Sequence, residues 1–481
     1  MQKSKKLAAA GVVLAGVCVL TFAVSNYQQK SEEIKESGET VLSIAADDVT
    51  ALSWSYDADA INSETESSSS SEDADNEVTG TQEFSFTKDE SWSYDEDSEF
   101  PVSEEKINNL LSVFQDFSAA FEIDDVDDYD QYGLSDPICT INITTADKDY
   151  EIKVGDISKM DSQRYVSIDD GNVYLATVDP MESYACTLQG VIDGDVVPSF
   201  DTVSKITFTG DNDYSIEYNE DGGKSYNSSD VYFADSDGET IALDNTTVTS
   251  YLSTLSYMDL SEYATYTATE DDMATYGLDD PDLTISVDYT SEDDTTGTFT
   301  MSIARDPSET EEITDDNVDD VNAYAMVDGS KIIYKISGST YRTLMASSTD
   351  DLRHKDIYTA DTDDMTEITA SVDGTEYTIT SKGSGDDKKW YCNDNEVDLT
   401  DFTSALTALS ADSFTNESAA DKEELSLTIK LDNDYSSEIS IALYRYDGTN
   451  CLVYVNDEPT AFVSRELAVD LEEAVNAIVL G

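Results

Sequence analysis

The chain has 481 residues, of which 104 are acidic and 26 are basic, so its formal net charge is −78. This charge repels nucleic acids and anionic lipid headgroups, and it excludes a nucleic-acid partner. The hydrophobic fraction of 39% is too high for a charge-driven disordered chain, so the sequence predicts sizeable buried cores.

The amino terminus predicts a membrane anchor. Lys3, Lys5 and Lys6 precede an uncharged apolar run over residues 7–24, and acidic residues follow that run. A positive start before an apolar run of this length is typical of a single-pass helix with its positive end in the cytoplasm. We therefore expect residues 1–27 to form a basic start and an anchor in the cell membrane, with the bulk of the chain extracytoplasmic.

Two other interpretations of this segment stay open. Cys18 follows a Leu-Ala-Gly-Val stretch that is similar to a lipoprotein signal, although Val stands where Gly or Ala is expected. Small residues at Ala23 and Ser25 would also allow a signal peptidase to cut after Ser25. The sequence does not decide whether the segment is retained, lipidated or cleaved.

The same pattern occurs three times along the chain and is clearest in a helix. Each copy has an apolar residue, a Ser or Asp that caps a helix, and then apolar residues on one helical face. A repeat of roughly 155 residues is too long for a solenoid module, so each copy should be a small domain. We predict repeat unit 1 over residues 28–200, unit 2 over 201–362 and unit 3 over 363–481, with helices that start near Val102, Leu243 and Val397.

Each unit opens with two predicted strands of alternating apolar residues. An aromatic residue follows each pair, Trp92, Tyr226 or Trp390, and should plug the core against the helix. Further strands and a short closing helix complete each unit. The predicted fold class is α+β, with three tandem units of antiparallel sheet plus helices behind an N-terminal transmembrane helix. The paired strands span residues 49–56 with 83–87, 203–209 with 214–218, and 365–372 with 376–381.

Two acidic segments interrupt the repeat pattern. Residues 61–82 are rich in serine and acids and should form a disordered loop in unit 1. Residues 305–321 are an acidic insertion in unit 2. Polar segments of this composition usually act as solvated spacers.

A local motif, Tyr-Gly-Leu-x-Asp-Pro, occurs at residues 132–137 and 276–281. Its glycine can supply a left-handed backbone, its aspartate can cap a turn, and its proline can fix the approach to the next strand. We therefore interpret the motif as a structural turn.

The sequence contains no recognisable catalytic constellation. It has one histidine, His354, whereas serine and cysteine hydrolases need a base beside the nucleophile and most zinc sites need several imidazoles. With cationic neighbours, His354 should be an ordinary surface or inter-domain residue. The stretch 235–238 is similar to part of a calcium loop, but Phe233 occupies the place of the first ligand. We therefore predict no catalytic, cofactor-binding or metal site.

The cysteines carry little chemical information. Cys139, Cys186, Cys392 and Cys451 lack the spacing of a metal site or a redox pair, so no disulfide framework is expected. Cys139 aligns with leucines of the other units and should be a small core residue.

Together these features make the chain similar to the DUF4340-type bacterial envelope proteins, a family of unknown function. The resemblance implies an accessory role beside ABC-type exporters and gliding-type transport proteins, but it transfers no catalytic residue. It rests on the Lys-rich start and on residues 49–54, 100–102, 132–137, 161–166, 276–281 and 443–448.

We expect a non-catalytic, membrane-anchored binding or scaffold protein of the bacterial envelope, with an envelope or transporter protein as partner. The alternative is a protein that binds or cleaves cell-wall glycan through paired carboxylates. A functional surface should lie where one unit departs from the others. The acidic insertions and the junction of units 2 and 3 around Arg353 are the predicted places.

Overall fold

The computed structural model describes residues 39–66, 78–124, 126–160, 162–210, 213–220, 225–236, 239–372, 374–419, 423–433 and 435–480. The chain divides between Gly194 and Asp195 into two compact units. The first compact unit contains one antiparallel sheet, here called repeat 1. The second contains two such sheets, repeat 2 and repeat 3.

Repeat 1 is a nine-stranded sheet with the strand order β1-β5-β9-β8-β7-β6-β2-β3-β4. Its strands are β1 (Glu39–Leu42), β2 (Val49–Asp57), β3 (Thr81–Lys88), β4 (Trp92–Tyr94), β5 (Phe117–Ile123), β6 (Cys139–Thr145), β7 (Asp149–Ile157), β8 (Arg164–Ser167) and β9 (Val173–Ala176). Its helices are α1 (Ala58–Glu66), α2 (Glu104–Ser112) and α3 (Met181–Tyr184), with 3-10 turns at Ala46–Asp48, Asp130–Tyr132 and Leu188–Gly190.

Repeat 2 has the order β13-β12-β11-β10-β15-β16-β17-β18-β14. Its strands are β10 (Thr202–Gly210), β11 (Tyr214–Tyr218), β12 (Tyr232–Ser236), β13 (Glu239–Ala242), β14 (Tyr263–Thr265), β15 (Leu283–Thr290), β16 (Thr296–Arg305), β17 (Ala323–Val327) and β18 (Ile333–Ile336). Its helices are α4 (Asn245–Ser256), α5 (Glu270–Thr275), α6 (Gly338–Met345) and α7 (Thr349–Leu352), with a 3-10 turn at Val318–Asp320.

Repeat 3 has the order β22-β21-β20-β19-β24-β25-β26-β27-β23. Its strands are β19 (Met365–Val372), β20 (Thr375–Lys382), β21 (Lys389–Cys392), β22 (Asn395–Val397), β23 (Ala411–Phe414), β24 (Glu423–Leu431), β25 (Glu438–Arg445), β26 (Asn450–Val455) and β27 (Glu458–Ser464). Its helices are α8 (Thr400–Ala408) and α9 (Arg465–Leu480), with 3-10 turns at Thr362–Asp364 and Gly385–Asp387.

The predicted α+β class is wrong, because strands hold 41% of the residues and helices 22%, so the fold is mostly β. The helix gives the clearest sequence signal because its apolar residues recur at a fixed spacing. In each repeat, however, that helix covers one face of a sheet whose nine strands contain far more residues. The tandem repeat is confirmed by the three sheets.

The three sheets share most of the path of the chain. A meander runs from the centre of the sheet to one edge, and a helix then crosses to the other side. The next strand is the edge strand in repeats 2 and 3, whereas β1 lies outside it in repeat 1, and a second meander runs from the centre to that strand. The first central strand of each repeat carries a bulge at the same register, after Val49, Val203 and Met365. A bulge shifts the strand pairing of every residue that follows it. Because the bulge lies at the same place in all three strands, the repeats can be aligned residue by residue.

Short polar side chains precede the crossing helices, which are α2, α4 and α8. Ser103 and Asp244 accept hydrogen bonds from first-turn amides at 3.4 Å and 2.8 Å, so two of the three predicted N-caps are confirmed. The third, Asp398, is wrong: it accepts from the Thr400 amide at 2.9 Å, but Leu399 is the N-cap of α8. A carboxylate before the helix therefore satisfies a free amide without being the cap itself.

Buried tyrosines join the crossing helix to the closing helix. In repeat 1, the Tyr184 hydroxyl on α3 donates to a carbonyl of α2 at 3.0 Å. In repeat 2, the Tyr251 hydroxyl on α4 donates to a carbonyl of α6 at 2.8 Å. Burial raises the pKa of both tyrosines well above their usual value. In repeat 3, Phe402 of α8 is part of the hydrophobic core.

The strand register corrects one predicted core plug. Trp92 pairs with Lys88, and Trp390 holds the matching place opposite Ser381. In repeat 2 this place belongs to Tyr232, not to Tyr226 as predicted. Tyr226 lies outside the shared pattern, in the loop between β11 and β12.

The loop predicted over residues 61–82 is wrong at both ends, because residues 61–66 belong to α1 and residues 81–82 to β3. A buried ion pair accounts for the helical end: Glu64 of α1 accepts two hydrogen bonds from Arg164 at 3.0 Å and 2.9 Å. Residues 67–77 lie outside the described residues.

The glycines of both Tyr-Gly-Leu motifs have the predicted left-handed backbone, with φ of +70° at Gly133 and +75° at Gly277. The motif is therefore a turn in both copies, as the sequence predicts.

The predicted single-pass membrane protein is not supported. Within the described part of the chain, no helix is long and apolar enough to cross a bilayer. The predicted anchor, residues 7–24, lies outside the described residues. The predicted localisation, a single-pass protein of the cell membrane with most of its chain extracytoplasmic, is therefore not supported.

Candidate functional site

Residues 352–357, here called the linker, connect repeat 2 to repeat 3 and hydrogen-bond to both. Arg353 forms a β-bridge with Leu243 at the start of α4 in repeat 2. The Lys355 carbonyl accepts from the amide of Ala411, the first residue of β23 in repeat 3, at 2.7 Å. Backbone bonds on both sides fix the linker in one conformation, so its side chains are held in defined positions.

The His354 ring is tied to a buried carboxylate. Its Nε2 lies 2.9 Å from Oδ1 of Asp230, whose side chain is 1% exposed, and Ser225 donates its hydroxyl proton to the other Asp230 oxygen. Burial lowers the pKa of His354, but the hydrogen bond and the negative charges of Asp230, Asp244 and Asp356 outweigh burial and raise it above 6.5. His354 thus fastens the linker to the β11–β12 loop.

This loop, residues 219–231, is longer than the matching loops 89–91 in repeat 1 and 383–388 in repeat 3. Its Tyr226 packs against the hydrophobic core of repeat 3. The Tyr226 hydroxyl also accepts a hydrogen bond from the side-chain amide of Asn456. A segment peculiar to repeat 2 therefore reaches the surface of repeat 3.

Arg353 stacks on an aromatic ring at the same junction. Its Cζ lies 4.0 Å from the centroid of Phe414, the last residue of β23. Its Nη1 lies 3.5 Å from Oδ1 of Asp350, which is the one side chain among the described residues that pairs with it. Burial lowers the pKa of the Arg353 guanidinium, and the Asp350 carboxylate only partly offsets that effect.

Two pockets share Phe414 as a lining residue. The larger, the polar pocket, has a volume of about 580 Å³ and is lined by carboxylates, hydroxyls and Lys355, together with apolar side chains such as Leu352. The smaller, the apolar pocket, has a volume of about 270 Å³ and is lined by aliphatic side chains, Tyr226, Arg353 and His354, together with polar side chains such as Asp356 and Thr460. Sites for small ligands are typically concave and combine apolar walls with a few fixed polar groups.

The other candidate sites in the sequence are the calcium-like stretch and the acidic insertion. Within the described ranges, no group of three or more His, Cys, Asp or Glu side chains is placed to hold a metal ion. Asp235 lies inside β12, so it is not part of a calcium loop. In the acidic insertion, Asp315 pairs with Arg342 at 2.8 Å.

The four described cysteines are free thiols. Cys139 is fully buried, as predicted for a core residue, and burial raises its pKa to about 12. Burial likewise raises the pKa of Cys186 to about 11. Both side chains are therefore protonated and unreactive at neutral pH.

The sequence predicts a functional surface around Arg353 and the junction of units 2 and 3, and both pockets lie there. It does not predict Asp230, Phe414 or the role of Tyr226. Asp230 and His354 are 124 residues apart in the sequence, so no local pattern relates them. The segment between β11 and β12 is longer than its counterparts in the other repeats, and this difference in length could have indicated the junction. The alignment of Tyr226 with Trp92 and Trp390 hid the difference.

The comparisons with known proteins concern the family alone. A family model described as a domain of unknown function (DUF4340) matches residues 92–281 and 238–428. Each match starts shortly before the crossing helix of one repeat. It ends near the strand that follows the Tyr-Gly-Leu position of the next repeat. One match therefore covers parts of two neighbouring sheets and not one whole sheet. No curated protein and no solved structure matches the chain.

Proposed function

The chain belongs to the DUF4340 family, a domain of unknown function, and from that premise we propose that it is a non-catalytic binding or scaffold protein that holds its partner at the junction of repeats 2 and 3. The Arg353–Phe414 stack, which lines the apolar pocket, carries this proposal. Arginine and aromatic residues are the types that most often dominate binding energy at interfaces.

The junction also departs from the repeat, which favours a role beyond packing. The long β11–β12 loop and its Tyr226 occur in repeat 2, and the linker is fastened to that loop through His354 and Asp230. A site whose walls are fixed by backbone and side-chain bonds before binding loses little conformational entropy when a partner arrives.

No observation singles out a pair of carboxylates for glycan cleavage, so that alternative stays a prediction. A transporter protein as the partner also stays a prediction.

The test is a cross-linked affinity isolation of the tagged full chain from the cells that make it. Wild type is compared with Arg353→Glu and with Arg342→Glu, a matched charge reversal at an exposed arginine of the same repeat. We expect one partner in stoichiometric amounts with wild type and Arg342→Glu, and its loss with Arg353→Glu. Equal recovery with all three proteins, or no partner at all, would contradict the proposal. Circular dichroism and the melting temperature confirm that both variants are folded.

A further inference from the structure

Arg164 and Arg353 are paired very differently. Arg164, 3% exposed, donates to both oxygens of Glu64, to Asp179 and to the Gly155 carbonyl at 2.9–3.2 Å. A guanidinium has five N–H donors, and in Arg164 most of them have a partner. Arg164 therefore has a structural role, with no capacity left for a ligand.

Within the described residues, Arg353 uses few of its N–H donors. Its side chain is 26% exposed, and besides its contact with the Phe414 ring its guanidinium makes a single hydrogen bond, to Asp350 at 3.5 Å, the outer limit for such a bond. A guanidinium that makes so few bonds to the protein has N–H donors to offer an anion. The planar fork of a guanidinium matches a carboxylate in bidentate geometry.

The apolar pocket beside this guanidinium determines which group the ligand carries next to its carboxylate. Ile241, Ile357, Ile439 and Val455 line it, and its volume of about 270 Å³ has room for a branched aliphatic side chain. A ligand with a carboxylate at one end and a short branched hydrocarbon next to it would satisfy both features.

The charged groups around the pocket restrict the anion to one negative charge. His354 also faces the pocket, but its ring is bonded to Asp230, and the exposed Asp356 carboxylate lies in the lining. The pocket has one guanidinium, and carboxylates lie near it in a chain of net charge −78. This negative surrounding charge disfavours binding of a phosphate dianion.

The neighbouring strand favours a polypeptide over a free organic acid. Phe414 ends β23, the last strand of its sheet, which pairs with β27 on one side and whose first residue, Ala411, bonds to the linker on the other. Beyond Ala411, no strand of the described residues pairs with this outer edge. Edge strands bind extended peptides by adding a strand, and side-chain pockets then give specificity. The polar pocket, lined by Asp412 and Ser413 of the same strand, gives room for residues that precede a chain end.

We propose that the junction captures the free C-terminal carboxylate of a partner chain that ends in an aliphatic residue. The carboxylate binds the Arg353 guanidinium, the last side chain fills the apolar pocket, and the preceding residues lie along β23. This inference rests on the proposed function and names the chemistry of the partner.

The test is calorimetric titration of the full chain with an acetylated Gly-Ala-Ala-Leu peptide that has a free C-terminus. We expect saturable binding and an affinity at least about ten-fold lower for the same peptide with an amidated C-terminus. Arg353→Met should abolish that difference, Arg353→Lys should retain part of it, and Arg342→Met should leave it unchanged.

Three results would overturn the inference: equal affinity for acid and amide, full binding by Arg353→Met, or no binding of the peptide to the wild type. A fourth is that 4-methylvalerate, a free branched acid, binds as tightly as the peptide, because the ligand would then be a small acid. If the peptide fails while partner recovery still depends on Arg353, the ligand chemistry is wrong and the proposed function stands.

Discussion

Removal of the Arg164 side chain should strongly destabilise the sheet of repeat 1. Arg164 is 3% exposed and makes charge-assisted bonds to Glu64 of α1 and to Asp179. Burial lowers its pKa, but these two carboxylates outweigh burial and raise the pKa overall. Arg164→Met leaves two carboxylates without their cation in a partly buried site. The side chains of Glu64 and Asp179 are 31% and 24% exposed, so water can reach both after the change.

Breaking a fully buried ion pair by removing one partner costs roughly 3–5 kcal/mol. Because both carboxylates can be partly rehydrated, we expect the lower end, about 3 kcal/mol of unfolding free energy. Arg342→Met is the matched control: Arg342 and its partner Asp315 are 42% and 94% exposed, and such pairs contribute under about 1 kcal/mol.

The assay is urea unfolding of the full chain, together with hydrogen exchange of the α1 amides. Arg164→Met should lower the unfolding midpoint and remove the exchange protection of α1, since Glu64 fastens that helix to the sheet. An unchanged midpoint with α1 still protected would refute the argument. So would an equal loss in Arg342→Met.

Three further predictions concern single side chains. Tyr251→Phe should lower the unfolding free energy in urea by about 1–2 kcal/mol, because it leaves a buried carbonyl unpaired, whereas Tyr257→Phe at an 87% exposed position should have no effect. The folded-state pKa of His354 is raised, so its stabilisation is complete below pH 6.5 and is lost as pH rises through that pKa; melting temperatures should show this decline in wild type and not in His354→Gln. Gly133→Ala should melt lower than Gly171→Ala. Both glycines have a positive φ, but only the new methyl at position 133 would meet other atoms, at 2.6 Å.

Local pattern and physical chemistry predict the strands and helices of this chain well. The strand predicted over residues 365–372 and the helix capped by Asp244 occur where expected, because each depends on the spacing of neighbouring residues. The predicted fold class was wrong because the helices have the most regular spacing of apolar residues, whereas the strands contain more of the residues.

The junction was beyond local pattern. Tyr226 was aligned with Trp92 and Trp390 by residue type, but the paired strands show that Tyr232 occupies that place. The Arg353–Phe414 stack and the His354–Asp230 pair depend on how repeat 2 docks on repeat 3, and sequence spacing contains no information about docking.

Photo-cross-linking of the intact chain in its own cells tests most directly whether the junction is the binding surface. A photoreactive residue replaces Ser413, which lines the polar pocket, or Met160, a 92% exposed residue of the first compact unit. The proposed function predicts a discrete cross-linked partner from position 413 and none from position 160. A partner captured from position 160 and not from position 413 would place binding elsewhere and contradict the proposal.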